Sequence, residues 1–264
     1  MTQTNDRERS TVGTRVAITA AGSGIGLAVA RAFAAQGARV HVSDVDVAAV
    51  RSAAAEGLTA AQVDVADPAA VDGWIDATLE ALGGLDVLVN NAGIAGPTAV
   101  VEDVAVEEWE HCLAVGLTSH YRTCARVIPA MKVARSGSIV NISSTAGQVG
   151  LGMRAPYTAA KWAVIGLTKT LAIELGPYGV RANAICPGSV DGERMRSVIE
   201  REAAARGASS EEVTLEYVGG QSIARWVQPD EIADMCVFLA SDAARMVSGQ
   251  AIAVDGHTET FHIG

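Results

Sequence analysis

Aromatic side chains are scarce in this chain: three phenylalanines, four tyrosines and four tryptophans among 264 residues. That scarcity argues against a pocket built for a steroid or a large flat aromatic ligand. Long hydrophobic runs are missing too. Apolar residues reach 49% of the chain, enough for a large core, yet no run has the length and purity to cross a bilayer. Basic runs are absent and the formal net charge is −10, so neither nucleic acid nor an anionic membrane surface is an expected partner. Four cysteines, Cys112, Cys124, Cys186 and Cys236, lie scattered without C-x-x-C spacing. The five histidines show no ligand spacing either, so no metal site is expected. Reduced, mostly buried thiols in a cytoplasmic protein are the expectation. The start, MTQTNDRERSTVG, has no apolar segment of the secretory type. Residues 1–12 are expected to form a flexible tail and 13–264 a single α/β domain.

What is present begins with a strand, a glycine turn and a helix. Arg15 to Thr19 reads as a short apolar strand, followed at once by Ala20-Ala21-Gly22-Ser23-Gly24-Ile25-Gly26 and a helical pattern over Leu27–Gln36 that Gly37 stops. Glycines there let backbone N–H groups approach a pyrophosphate, and a helix N-terminus favours its negative charge. A second strand, Arg39–Ser43, ends in Asp44, about twenty residues past the turn. A carboxylate in that position accepts bonds from both hydroxyls of an adenosine ribose and repels a 2′-phosphate, and no arginine follows it. NAD(H) is therefore expected in preference to NADP(H). A third strand, Ala60–Val63, places Asp64 and Val65 at its carboxyl end, where adenine could rest.

An amphipathic helix over Pro68–Leu82 leads to a buried strand, Asp86–Val89, that runs into Asn90-Asn91-Ala92-Gly93. Small residues and amides at a strand's carboxyl end suit the floor of a cofactor crevice. Glu107–Ala134 reads as a long helical stretch that Gly116 should weaken or bend. Strand Ser138–Ile142 precedes Ser143-Ser144, and Pro156 suits the first turn of the next helix. On that helix Tyr157 and Lys161 are four residues apart and share a face. An ammonium beside a phenol favours the phenolate, and a hydroxyl from Ser144 could steady an alcohol or carbonyl oxygen against it. Together they suggest a general acid/base site.

Thr19 to Gly26, Asn90 to Gly93, Ser144, Tyr157-Thr158-Ala159-Ala160-Lys161 and Pro187-Gly188 stand in the order and spacing of the short-chain dehydrogenase/reductase family. The chain resembles that family from about Arg15 to Gly256, within the branch that holds β-oxoacyl reductases and sugar, polyol and secondary-alcohol dehydrogenases. The resemblance implies a doubly wound Rossmann-type sheet of seven parallel strands in order 3-2-1-4-5-6-7, with helices on both faces. That winding also follows from right-handed crossovers between alternating strands and helices.

The resemblance further implies roles. Tyr157 would be the general acid/base, Ser144 the hydroxyl that orients the oxygen, and Lys161 the partner of the nicotinamide ribose. Ser23, Gly24 and Ile25 would hold the pyrophosphate, Asp44 the adenosine ribose, Asp64 and Val65 the adenine, and Asn91, Ala92 and Gly93 the ribose side. Pro187, Gly188 and Val190 would border the nicotinamide. A homotetramer acting on a small alcohol or ketone is implied; Phe261 and His262 could reach a neighbouring subunit, and a frayed end fits them equally well.

Three positions depart from the family's pattern. Ala20 replaces the loop's first glycine, which is tolerable if its φ is negative. Gly116 replaces an asparagine whose backbone helps to hold a relay water, so relay through the Gly116 carbonyl is expected. Gly192 replaces a threonine that bonds the nicotinamide carboxamide, a part that Ser189 or a backbone group would have to take.

For substrate, Gln148, Leu151, Met153, Arg154, Ser189 and Val190 are candidate pocket residues. Arg154 could pair with a carboxylate or another anion. A surface or interface arginine fits the same spacing and is the plainer expectation. Residues 191–220 are expected to cover the substrate, although a solvated helix fits them too. Two other functions stay open: a catalytically weak dinucleotide-binding protein with a regulatory role, and a carrier-bound β-oxoacyl reductase.

Overall fold

A computed structural model describes residues 12–258; most of the expected tail, and Phe261 and His262, lie outside the described residues. Strands β1 (Arg15–Ile18), β2 (Arg39–Asp44), β3 (Thr59–Gln62), β4 (Val87–Asn90), β5 (Gly137–Ile142), β6 (Val180–Pro187) and β7 (Ala251–Val254) form one parallel sheet. Its order is β3-β2-β1-β4-β5-β6-β7, the order expected from the sequence. The strand order reverses beside β1, which opens a crevice at the carboxyl ends of β1 and β4.

Helices cover both faces: α1 (Gly24–Ala35), α2 (Val47–Ala55), α3 (Pro68–Leu82), α4 (Val106–Leu113), α5 (Ser119–Ala134), α6 (Ala155–Leu175) and α9 (Pro229–Ala240). Beyond β6, α7 (Glu193–Arg206) and α8 (Ser210–Gly219) stand over the carboxyl edge. The central strands are buried on both faces. Val16, Ile18, Val89 and Val140 meet α1 and α9 on one side, while Ala17, Leu88 and Ile139 meet α3, α5 and α6 on the other. This two-sided burial explains why these strands read as apolar runs rather than alternating patterns.

Local chemistry sets the helix ends. Asp67 caps α3 by accepting from Ala69 N, Pro68 fills the first turn, and Gly83 ends the helix at φ 71°. The stretch expected as one long helix is interrupted. Ala114–Thr118 forms a π-turn between α4 and α5, with Gly116 at its middle. A Cβ on Gly116 would lie 3.4 Å from Ala160 Cβ on α6, so the π-turn packs directly against that helix.

Candidate active site

The glycine turn is built by close approach as much as by torsion. A Cβ on Gly22 would stand 2.5 Å from Ala49 Cβ, and one on Gly26 2.4 Å from the Ala20 carbonyl oxygen. Gly24 takes φ 51°. Ala20 has φ 51° as well, so the negative torsion expected for it is corrected. The left-handed turn aims its carbonyl at Asn91, whose Nδ2 donates to it over 2.8 Å. For an alanine that conformation costs about 1–2 kcal/mol. Asp44 faces the turn, its carboxylate accepting from Gly22 N at 2.9 Å and Asp46 N at 3.0 Å. No acidic residue occupies the first turn of α1, which leaves the N-terminal charge of that helix open to an anion.

Struts hold the carboxyl ends of β4 and β5 together. Asn90 Nδ2 donates to Asn141 Oδ1 (2.9 Å), Asn141 Nδ2 donates to Thr168 Oγ1 (2.9 Å) and Thr123 Oγ1 donates to Asn90 Oδ1 (2.6 Å). Thr19 Oγ1 accepts from Asn91 N and Ala92 N, both at 3.0 Å. His120 Nε2 donates to the Ala92 carbonyl at 2.9 Å. Burial is the main reason that His120 is pushed down to about 3 and stays neutral.

Beside these struts stands the reactive cluster. Lys161, 2% exposed, donates from Nζ to the Ile142 carbonyl at 2.8 Å. Burial above all, and Arg194 next, pull it down to about 7. Its ammonium lies 5.8 Å from the centre of the Tyr157 ring, with Arg154 at 5.7 Å and Arg194 at 5.9 Å. Three cations therefore surround one phenol. Ser143 Oγ donates to the Lys161 carbonyl at 2.8 Å, which makes Ser143 a strut. Ser144, in extended conformation, turns its hydroxyl to Ala146 N and lines the cleft.

The cleft encloses about 570 Å³ and runs from Asp44 and the glycine turn past Ser144, Tyr157 and Lys161 to Arg154 and Tyr217. Of the residues singled out in the sequence, Ala20, Ser23, Gly24, Ile25, Asn91, Gly93, Leu151, Arg154, Pro187, Gly188, Ser189 and Val190 also line it. Others stand apart. Asp64 is exposed, and neither it nor Val65 lines the cleft, because β3 ends at Gln62, one residue before the expected end. Ala92 is buried behind the wall, and Gly116 is buried in the π-turn. Gln148 is exposed and off the cleft, and Met153 does not line it either, which corrects their expected place in the pocket. Arg154 is 4% exposed, so the surface position expected for it is corrected as well.

Segment 191–220 contributes Gly192, Arg194, Met195, Val198 and Tyr217 to the cleft wall. Gly192, at φ 156° and ψ 170°, adopts a conformation almost confined to glycine. The sequence reading missed Arg194, Tyr217 and Thr98. One signal was available for Arg194: a cation in the first turn of a helix opposes the helix dipole.

An open α/β sheet with a glycine turn, an acid facing that turn and a Ser-Tyr-Lys cluster along one cleft defines a dinucleotide-dependent oxidoreductase. A family model described as enoyl-(acyl carrier protein) reductase matches residues 19–257. The D-beta-hydroxybutyrate dehydrogenase of Cupriavidus necator is 38% identical over 246 residues, covering 90% of this chain and 95% of its own. Actinorhodin polyketide ketoreductase, solved with NADPH as a point variant, superposes with a TM-score of 0.87 at 36% identity, over 92% of this chain and 96% of that one. An NAD⁺-bound xylitol dehydrogenase gives a TM-score of 0.89 at 30% identity, over 94% and 100%. The chain belongs to the short-chain dehydrogenase/reductase family. It is an oxidoreductase of the class that acts on secondary alcohols and ketones with a nicotinamide cofactor.

Proposed function

We propose that the protein transfers hydride between NAD(H) and a secondary alcohol/ketone pair, with Tyr157 as general acid/base. One observation carries the proposal: Ser144, Tyr157 and Lys161 open on the same cleft as the glycine turn and Asp44. The residues present fit a dinucleotide. The turn leaves no room for side chains at Gly22 and Gly26, so a pyrophosphate can lie against backbone N–H groups. Asp44 retains lone pairs for ribose hydroxyls beyond its bonds to Gly22 and Asp46, and it would repel a 2′-phosphate. That supports NAD(H).

When bound, the nicotinamide supplies or accepts the hydride. In alcohol oxidation Tyr157 takes the hydroxyl proton, and in ketone reduction it returns one to the new alkoxide. Ser144 holds the substrate oxygen. Lys161, seated against the Ile142 carbonyl, places its amino group beside the phenol and, when protonated, favours the phenol's ionised form. The Gly116 carbonyl remains our proposed acceptor for a relay water. Residues 191–220 would close over the substrate and exclude solvent. We further propose a homotetramer of single-domain chains.

A carrier-bound β-oxoacyl reductase is the second reading, supported by the likeness to a polyketide ketoreductase. NADPH preference would favour it, whereas Asp44 and the net charge of −10 favour the first. The test follows NADH formation over a panel of hydroxy acids, polyols, cyclic alcohols and hydroxysulfonates, with NAD⁺ and NADP⁺ in parallel. Turnover is expected with NAD⁺. Tyr157→Phe should lower kcat by roughly a thousandfold or more while NADH binding stays within about twofold. Undiminished turnover in that variant would overturn the mechanism.

A further inference from the structure

Arg154 has a position that the hydride-transfer reading leaves without a purpose. It lies against the reactive tyrosine, is 4% exposed, and has no carboxylate partner among the described residues. Its hydrogen bond from Nη1 goes to the Thr98 hydroxyl at 3.1 Å, and its buried Nε has no partner. Burial works against its charge, the Tyr217 and Tyr157 phenols favour it only when ionised, and Arg201 and Arg194 oppose it. A buried guanidinium stays protonated and is costly without an anion to meet it. The backbone that delivers it is itself strained: Met153, immediately before, sits at φ 57°, with its carbonyl pinned by Ala99 N at 3.0 Å.

Arg194 enters from the other side. It rises from the first turn of α7 and donates from Nη1 to the Gly93 carbonyl at 3.0 Å. That contact uses one of five N–H groups, and the side chain is exposed at the cleft mouth. Of the acids beside it, Asp191 lines the cleft but pairs with Arg196, and Glu202 accepts from Tyr217 and Arg206. Glu193 remains at the cleft edge. In a protein of net charge −10, the substrate end of the cleft thus sets two arginines without ion-pair partners among the described residues, Arg154 and Arg194, against one such acid, Glu193.

We propose that the substrate carries its own anionic group, a carboxylate or a sulfonate, and that Arg154 and Arg194 together hold it while the hydroxyl or keto oxygen meets Tyr157 and Ser144. This names the substrate class of the dehydrogenase reading and rests on it. Guanidinium centres 5.7 and 5.9 Å from the same ring suit a short molecule, its acid and reacting carbon separated by about two to four bonds. Arg154, held by its burial, fixes where the acid sits. Arg194, on the covering segment, closes onto it, so the same anion that is recognised also draws α7 over the site.

The test titrates butyrate, propane-1-sulfonate and the neutral isostere butyramide into the full-length protein, with and without NADH, following thermal shift and NADH fluorescence. At least one anion is expected to bind roughly tenfold or more tightly than the amide. A preference between butyrate and the sulfonate would identify which acid the site takes. Arg194→Gln, at an exposed position that should not disturb folding, is expected to weaken the anion by roughly tenfold and leave NADH unchanged. Arg154→Met should abolish the preference for anions, and Arg154→Lys should restore part of it.

Equal affinity for amide and anions, or binding of none of the three, would overturn the proposal. So would loss of NADH affinity in Arg194→Gln with anion binding intact, because that would assign Arg194 to the cofactor. The titration without NADH separates the two readings. A chain that fails to bind NADH removes the dehydrogenase reading, yet its preference between anion and amide still decides the anion site.

Discussion

At the scale of single residues, the cost of the site is concentrated in Lys161. Its ammonium is buried, accepted by one carbonyl oxygen and faced by Arg194, so charge there is disfavoured in the cofactor-free protein. The unfolded chain holds that proton up to the ordinary value of 10.5, whereas the folded chain releases it from about 7. Between those limits the unfolded state binds more protons, and this group makes folding more favourable as pH rises. The increase is at most about 1.4 kcal/mol per pH unit and ends above the unfolded value. Buried thiols oppose it: burial pushes the Cys186 thiol up to about 11 and the Cys124 thiol up to about 12. The informative quantity is therefore the difference between wild type and Lys161→Met in urea unfolding from pH 7 to 10. Wild type should gain stability relative to the variant across that range, and parallel curves would show that Lys161 is not the group responsible. Ala20 is the second strained residue, a left-handed alanine whose carbonyl anchors Asn91. Nothing in a one-letter code distinguishes that torsion from the negative one expected, because the turn that imposes it is closed by Asn91 from another strand.

Among whole elements, the parts legible in the sequence are those set locally. The sheet order follows from alternating strands and helices, and α3 has the bounds that its proline and periodicity announce. The Ser-Tyr-Lys cluster was legible because a strand end and one helix face carry it. The π-turn was not: glycine signalled weakness in the helix, but nothing in the local spacing announces an extra residue per turn. Arg194 was hidden for the same reason, since its reach to Gly93 spans 101 positions in the chain. The pair α7–α8, proposed to cover the substrate, has a small core of its own, Ile199, Ala203 and Val213 with a few half-buried neighbours. Polar contacts hold it together instead. Glu202, itself buried, accepts from Tyr217 at 2.7 Å and Arg206 at 2.9 Å, and Arg206 also pairs with Glu216. Burial first, then the Glu202 carboxylate, pushes the Tyr217 phenol above its ordinary range, so this donor stays protonated. Glu202→Ala should free α7 and α8 by about 2 kcal/mol, speeding their amide hydrogen exchange by roughly thirtyfold while the sheet's amides keep their rates. A uniform acceleration across the chain would instead show that the covering segment unfolds only with the whole domain.

For the molecule as a whole, the described surface carries an apolar stripe that its own core does not use. On α6, Trp162 and Ile173 are 51% and 79% exposed, and their separation of eleven residues, about three turns, brings them to one face. Gly166, Lys169 and Thr170 lie between them on that face and are exposed as well, so the stripe is apolar at its two ends and polar between them. The opposite face of the same helix bears Lys161, Val164, Thr168 and Leu171 and is buried on the sheet. One helix thus carries Lys161 inward and exposed Trp162 and Ile173 outward, which is the arrangement expected if subunit contact and site rigidity are coupled. A glycine in the stripe lets a second backbone approach closely, and two such helices packed across a two-fold axis would bury Trp162 and Ile173. That supports the proposed homotetramer by a route independent of family resemblance. Ile173→Glu places charge on the stripe yet leaves the buried face untouched, so its far-UV circular dichroism should match wild type. Sedimentation velocity should then show wild type as a tetramer and the variant as smaller species. If the helix meets a partner in this way, kcat should fall in the variant as well, because the turn that holds Lys161 loses its outer support. A variant that remains tetrameric would place the interface elsewhere, and the stripe would be ordinary exposed surface.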